Sequence, residues 1–183
     1  MFDETEIPGV VLVKPRVHSD DRGFFVETYH EPRYRENGIP DRFVQDNHSR
    51  SSRGTLRGLH AQSPNPQGKL VRCVEGAVWD VSVDVRLGSP SFGCHVAFEL
   101  SAENFHQLWV PPGLLHGFVV LSEFAQIEYK CTAVYDPDAE FSVRWNDPEL
   151  AIPWPVDAPI LSEKDRNAPL LSEVRERLVE TPA

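Results

Sequence analysis

Short runs of alternating apolar and polar residues fill most of the chain, the pattern of strands with one buried face. The cleanest runs from Ala77 to Arg86, with Ala77, Trp79, Val81, Val83 and Val85 on one side. Asp80, Ser82, Asp84 and Arg86 alternate with them, and the pattern alone favours a solvated face for these over a charged cavity wall. Earlier strands are predicted at Gly9–Lys14, closed by Pro15, and at Arg22–Tyr29, which is aromatic and β-branched. Arg42–Ser49 reads as a strand unusually rich in hydrogen-bonding side chains. Further strands follow at Phe92–Leu100, Gln107–Val110, Gly117–Leu121 and Ala125–Val134, separated by turn signals such as Pro111-Pro112-Gly113. Helical spacing is confined to Glu31–Asn37, stopped by Gly38, and to Pro169–Val179, where Leu170, Leu171, Val174 and Leu178 share a face. Many short strands and one or two peripheral helices predict an all-β sandwich or barrel. With no repeat, linker or low-complexity tract, residues 1–183 read as one domain.

Composition narrows the function classes. A net charge of −10 argues against general nucleic-acid binding, although clustered Arg and Lys in a cleft can still hold a small anion. No apolar run approaches the ~18 residues of a membrane span. The acidic start, Met1-Phe2-Asp3-Glu4-Thr5-Glu6, lacks the regions of a signal peptide, so a cytoplasmic location is expected. Three widely spaced cysteines, Cys73, Cys94 and Cys131, form no C-x-x-C pair and are expected as buried strand thiols.

The candidate chemistry starts at Leu56-Arg57-Gly58-Leu59-His60-Ala61-Gln62, followed by Gln67-Gly68-Lys69-Leu70-Val71-Arg72. His60 suits proton abstraction near neutral pH. Lys69, across a Pro/Gly loop, is placed to face the same cavity and hold negative charge there. On its own this segment reads equally as a polar strand face. Pro111-Pro112-Gly113-Leu114-Leu115-His116 has the P-x-G-x-x-H form of the second cupin motif. The H-x-H pair of metal-binding cupins is replaced by His60-Ala61-Gln62. His48, His60, His116 and Glu27 supply ligand types without a spacing that requires a site, so no metal is expected.

Several stretches in order carry a specific resemblance. They include Asp21-Arg22-Gly23-Phe24-Phe25, Phe43-Val44-Gln45-Asp46-Asn47-His48-Ser49, the His60 and Lys69 stretches, Gln107-Leu108-Trp109-Val110-Pro111, and Leu161-Ser162-Glu163-Lys164-Asp165. From about residue 5 to about residue 171 the chain resembles the dTDP-4-dehydrorhamnose 3,5-epimerase family. The resemblance implies a dimeric, metal-independent and cofactor-free jelly roll, a cupin-like double-stranded β-helix. It implies epimerisation at C3 and C5 of a dTDP-4-keto-6-deoxy sugar. His60 matches the family's base, Asp165 the acid that orients it, Lys69 the cation beside the C4 keto oxygen and Tyr129 the proton donor. Arg22, Glu27, Gln45, Asp46, Asn47, Arg57, His116, Glu140 and Lys164 match substrate-binding positions, and Tyr135 the aromatic that stacks on thymine. Ala61 and Val134 depart from the family's usual residues. Ala61 is expected to leave room beside the base, which keeps open a related epimerase that inverts only C3 or only C5. A metal-dependent cupin such as a dioxygenase is the rival from another class.

Overall fold

The computed structural model describes residues 1–39 and 42–180. Its strands are β1 (Phe2–Glu4), β2 (Val11–Val13), β3 (Val17–Asp20), β4 (Gly23–Val26), β5 (Gln45–Ser52), β6 (Leu56–Gln62) and β7 (Lys69–Glu75). They continue as β8 (Ala77–Asp84), β9 (His95–Ser101), β10 (Gln107–Val110), β11 (Leu114–Val120), β12 (Phe124–Cys131) and β13 (Glu140–Ser142). Two short helices, α1 (Glu31–Glu36) and α2 (Glu163–Arg166), lie outside them. One antiparallel sheet runs β1-β2-β10-β7-β12-β5, a second runs β13-β6-β11-β8-β9, and β3–β4 is a separate hairpin. The two large sheets face each other as a jelly roll, the all-β architecture predicted from the sequence.

Alternation sorts the side chains into three apolar clusters. Leu12, Val71, Leu108 and Ile127 of the first sheet meet Val78, Val96, Leu114 and Phe118 of the second between the sheets. On the far side of the second sheet, Leu59, Ala61, Val81, Val83 and Leu115 lie under Leu150, Ile152, Leu171, Val174 and Leu178. On the far side of the first, Val11, Val13, Leu70 and Trp109 are covered by Tyr34 of α1 and Ile39. Strand β8 therefore has no solvated face. Its apolar side meets the C-terminal cover, and Asp80, Ser82 and Asp84, each 0% exposed, point into the jelly roll. Exposure was the wrong expectation for them, because the C-terminal segment buries the face that period-two reasoning took for the only core.

Helix α1 forms as predicted: His30 caps it through Nδ1, and Gly38, at φ +78, lets the chain turn away. The predicted C-terminal helix is replaced by two 3-10 turns, Leu171–Glu173 and Arg175–Arg177. The segment is tied down at both ends, by Leu171 N–H on Asp147 in the loop after β13 and by Leu87 N–H, just past β8, on Val179 O. Those anchors keep Leu171, Val174 and Leu178 on the sheet while the backbone stays too extended for an α-helix. Cys73 and Cys131 are buried strand thiols as expected, but Cys94 is exposed in the turn before β9.

Strands β6 and β11 approach closely where both carry glycine. A Cβ on Gly58, whose φ is +132, would fall 2.6 Å from Gly117 Cα and 2.9 Å from His116 O. Gly58→Ala is expected to cost about 1–3 kcal/mol, as overpacking does. A thermal melt reads the loss; an unchanged midpoint would mean that the contact is relieved cheaply.

Candidate active site

Cross-strand pairing places the polar residues of the interior. His60 on β6 is paired with His116 on β11 and with Ser142 on β13. Lys69 opens β7 opposite Cys131, and Tyr129 lies two residues earlier on β12. The two histidines thus occupy one wall, and the lysine and tyrosine occupy the other. Between them is a cavity of about 440 Å³, lined also by Arg57, Phe118, Lys164 and Asp165.

Asp165 reaches the cavity from far along the chain. The segment before it joins the start of β6, with Leu56 N–H on Ile160 O at 3.0 Å and Ile160 N–H on Gly54 O at 2.8 Å. Ser162 then caps α2: its Oγ accepts from Asp165 N–H at 3.0 Å and donates to Asp165 Oδ2 at 2.9 Å. The other carboxylate oxygen meets His60 Nε2 at 2.5 Å, across 105 residues of sequence. Burial pushes the Asp165 carboxyl up, yet the bonds from His60 and Ser162 hold it below its ordinary value. An ionised Asp165 accepts the proton on Nε2, which leaves Nδ1 of His60 as the nitrogen free to act as a base.

The opposite wall is electrostatically different. Lys69 has no hydrogen-bond partner among the described residues, and burial lowers its pKa against the opposing pull of Cys131, Glu140 and Asp80. A desolvated ammonium without a partner gains most from an oxygen that becomes negative beside it. Burial raises the Tyr129 phenol, so at neutral pH it carries its proton.

A polar network follows one rim. Lys164 is ion-paired with Glu140, and Tyr135 Oη donates to the same carboxylate at 2.8 Å. Tyr135 N–H donates to Gln45 Oε1 at 2.8 Å, Gln45 donates to Asn47 Oδ1, and Asn47 donates to Cys131 Sγ. The Tyr135 residue stays 47% exposed, which leaves its ring available for stacking. Arg57 is held by Ser51 Oγ at 3.0 Å.

Three of the sequence-derived binding residues lie away from this cavity within the chain. Asp46 alternates with Gln45 and Asn47, points to the other face of β5 and pairs with Lys130. Glu27 pairs with Arg33, and Arg22 sits on the β3–β4 hairpin with its side chain 90% exposed. Of the four candidate metal ligands only His60 and His116 share the cavity; His48 turns towards Glu128 and Glu27 towards Arg33, and among the described residues no group of three or more His, Cys, Asp or Glu converges. Ala61 does not widen the space around the base: it packs with Phe141 behind the sheet, because it follows His60 on the strand and faces the opposite way. Val134 is exposed and does not line the cavity. Sequence reasoning missed Ser162 as the holder of Asp165, although Ser162-x-x-Asp165 before a short helix is a capping signal. It also did not pair Asp80, read as part of a solvated face, with His116 on the cavity wall.

Comparison with known proteins places this geometry in context. A family profile described as dTDP-4-dehydrorhamnose 3,5-epimerase matches residues 4–173. A dTDP-4-dehydrorhamnose 3,5-epimerase of Pseudomonas aeruginosa is 59% identical over 162 residues, 87% of this chain and 90% of that protein. The fold superposes with a TM-score of 0.96 on a dTDP-6-deoxy-D-glucose-3,5-epimerase of Legionella pneumophila in complex with dTDP-4-keto-L-rhamnose. That protein is 49% identical, covering 100% of this chain and 99% of its own. A dTDP-4-dehydrorhamnose 3-epimerase of Streptomyces niveus is more distant, at 42% identity over 93% of this chain and 83% of its own.

Proposed function

This chain belongs to the dTDP-4-dehydrorhamnose 3,5-epimerase family, and we propose that it inverts C3 and C5 of dTDP-4-dehydro-6-deoxy-D-glucose to give dTDP-4-dehydro-L-rhamnose. It is an isomerase that works by removing and returning protons α to the C4 ketone. The observation that carries the reading is the opposition across one cavity of His60, held by Asp165, to Lys69 and Tyr129.

In our reading the chemistry follows from those positions. The C3 and C5 protons are acidified by the same carbonyl. Nδ1 of His60 takes one of them, and the electron pair moves through the ring to the keto oxygen as an enolate. Lys69 donates to that oxygen, acting as an oxyanion hole. Tyr129 returns a proton to the same carbon from the opposite face, which inverts it, and the carbonyl re-forms. Exchange with solvent takes the proton from His60 and replaces that of Tyr129 before the second centre reacts. The sequence is redox-neutral, so acids and bases of the protein balance it. Arg57 and Lys164 supply the cationic surface for the diphosphate, and Tyr135 the stacking face for thymine.

The reading extends to a single domain over residues 1–183, acting in the cytoplasm as a homodimer. No helix among the described residues is long and apolar enough to cross a membrane. Phe24 and Phe25 are 62% and 70% exposed beside Arg22, an apolar surface with a cation that suits burial by a second copy.

Proton NMR of the turnover in D₂O tests the function. Deuterium at both C3 and C5 is expected; deuterium at one carbon alone would assign the chain to the single-centre epimerases instead. Tyr129→Phe is expected to slow completion of inversion more than the first proton removal. Comparing wash-in of deuterium with formation of the inverted product checks this, and equal losses in the two would remove Tyr129 as the donor.

A further inference from the structure

A second carboxylate–imidazole pair is built into the wall of the same cavity: His116 lines it, and Asp80, which no role above uses, holds the ring. Nε2 of His116 is 2.9 Å from each oxygen of Asp80, and Asp80 is 0% exposed. Neither side chain has another hydrogen bond among the described residues. Two sheet neighbours of Asp80 are apolar: Val78 precedes it on the same face of β8, and Phe118 is its cross-strand partner on β11. Burying a carboxylate there with one donor for its two oxygens has little to offer stability, since buried ion pairs replaced by packed apolar residues are often neutral or better. His116 itself is paired across the strands with His60, so whatever fixes the His116 ring fixes it beside the base.

We infer that Asp80 is a positioning residue of this reaction: it keeps the proton of His116 on Nε2 and so presents Nδ1 to the substrate. The carboxylate shares Nε2–H between its two oxygens, and the ring can neither flip nor change tautomer without leaving a buried charge unpaired. The cavity then carries two imidazoles tethered alike, His60 by Asp165 and His116 by Asp80, each with Nε2 committed and Nδ1 free. His60 lies on the side chain 26% exposed, whereas His116 is 9% exposed and is the more deeply fixed of the two. The first is placed to exchange its proton with solvent between the two inversions. The second is placed to hold one end of the sugar in a constant orientation while the reacting carbon changes. Asp80 also lies close enough to Lys69 to oppose the loss of its proton.

This inference rests on the epimerase reading, so its test has an arm that needs no turnover. In the full-length protein labelled with ¹⁵N-histidine, the His116 signals are those lost in His116→Gln. Neutral His116 is expected with its proton on Nε2; a proton on Nδ1 would overturn the inference whatever the protein catalyses. Deuterium wash-in then measures the coupling. Asp80→Asn preserves the shape but lets the amide donate to Nε2, admitting the wrong tautomer, and is expected to lower kcat/KM about 10–100-fold. In a His116→Gln background the same substitution should cost almost nothing further. An equal loss in both backgrounds would show that Asp80 acts independently of His116 and would sink the idea. If Asp80→Asn does not fold, the tautomer measured in the unaltered protein decides the matter alone. Absence of exchange in the unaltered protein would instead count against the epimerase reading.

Discussion

His60→Ala is expected to abolish exchange of both α-protons with solvent while the affinity for dTDP stays nearly unchanged. The base is the group on which every step depends, and a positioned general base contributes about 10²–10⁴-fold. Both centres should fail together, because in the proposed mechanism the Nδ1 of His60 serves both. The side chains of the nucleotide-facing residues proposed here, Arg57, Lys164 and Tyr135, bond to Ser51 and Glu140 rather than to His60 or Asp165, so binding should survive. Deuterium wash-in at C3 and C5, with calorimetry of dTDP binding, gives the two readouts. Near-normal exchange at either carbon would assign the base to another group. Removing the ring leaves Asp165 only its Ser162 bond, so a thermal melt of the variant should accompany the kinetics. His60→Asn, which retains a donor for the carboxylate, separates loss of the base from loss of the fold.

Lys69→Met comes next in expected effect. Methionine keeps the length of the side chain and removes the charge at the position proposed for the enolate oxygen. Losing one such donor typically costs about 10²–10³-fold in kcat. Steady-state turnover across pH checks the assignment twice. Burial lowers Lys69 from the ordinary 10.5 and raises Tyr129 above the ordinary 10.0, so the lysine loses its proton at a lower pH than a free lysine while the tyrosine keeps its own longer than a free phenol. The basic limb of the wild-type kcat profile is therefore expected below the usual lysine value, and it should vanish in Lys69→Met. A variant with wild-type turnover, or one that kept the limb, would take Lys69 out of the chemistry.

Much of this was legible before any coordinates. Period-two patterning located β8, apolar and aromatic runs bounded by turn signals located β2, β4, β10 and β12 to within a few residues, and a glycine after a short helical run located the end of α1. Alternation even held information that a linear reading left unused. Asp46 lies between Gln45 and Asn47 and must face away from them, and Ala61 must face away from His60. What alternation cannot say is which of two faces is the interior, or whether both are. That is why Asp80 read as solvated until the C-terminal segment was seen to cover the other side of β8.

The amino-acid order by itself determined the class of fold, the residue types available for proton transfer and the turns that separate the strands. These depend on neighbours a few positions apart. Only the tertiary structure brought His60 to Asp165 across 105 residues, set His116 on Asp80, and placed Lys69 and Tyr129 on the facing sheet. Such contacts form when two sheets close on a shared interior and a distant helix cap docks against a strand edge. That closure is stabilised by burial summed over the whole chain, and no local pattern records where it will bring two polar side chains together.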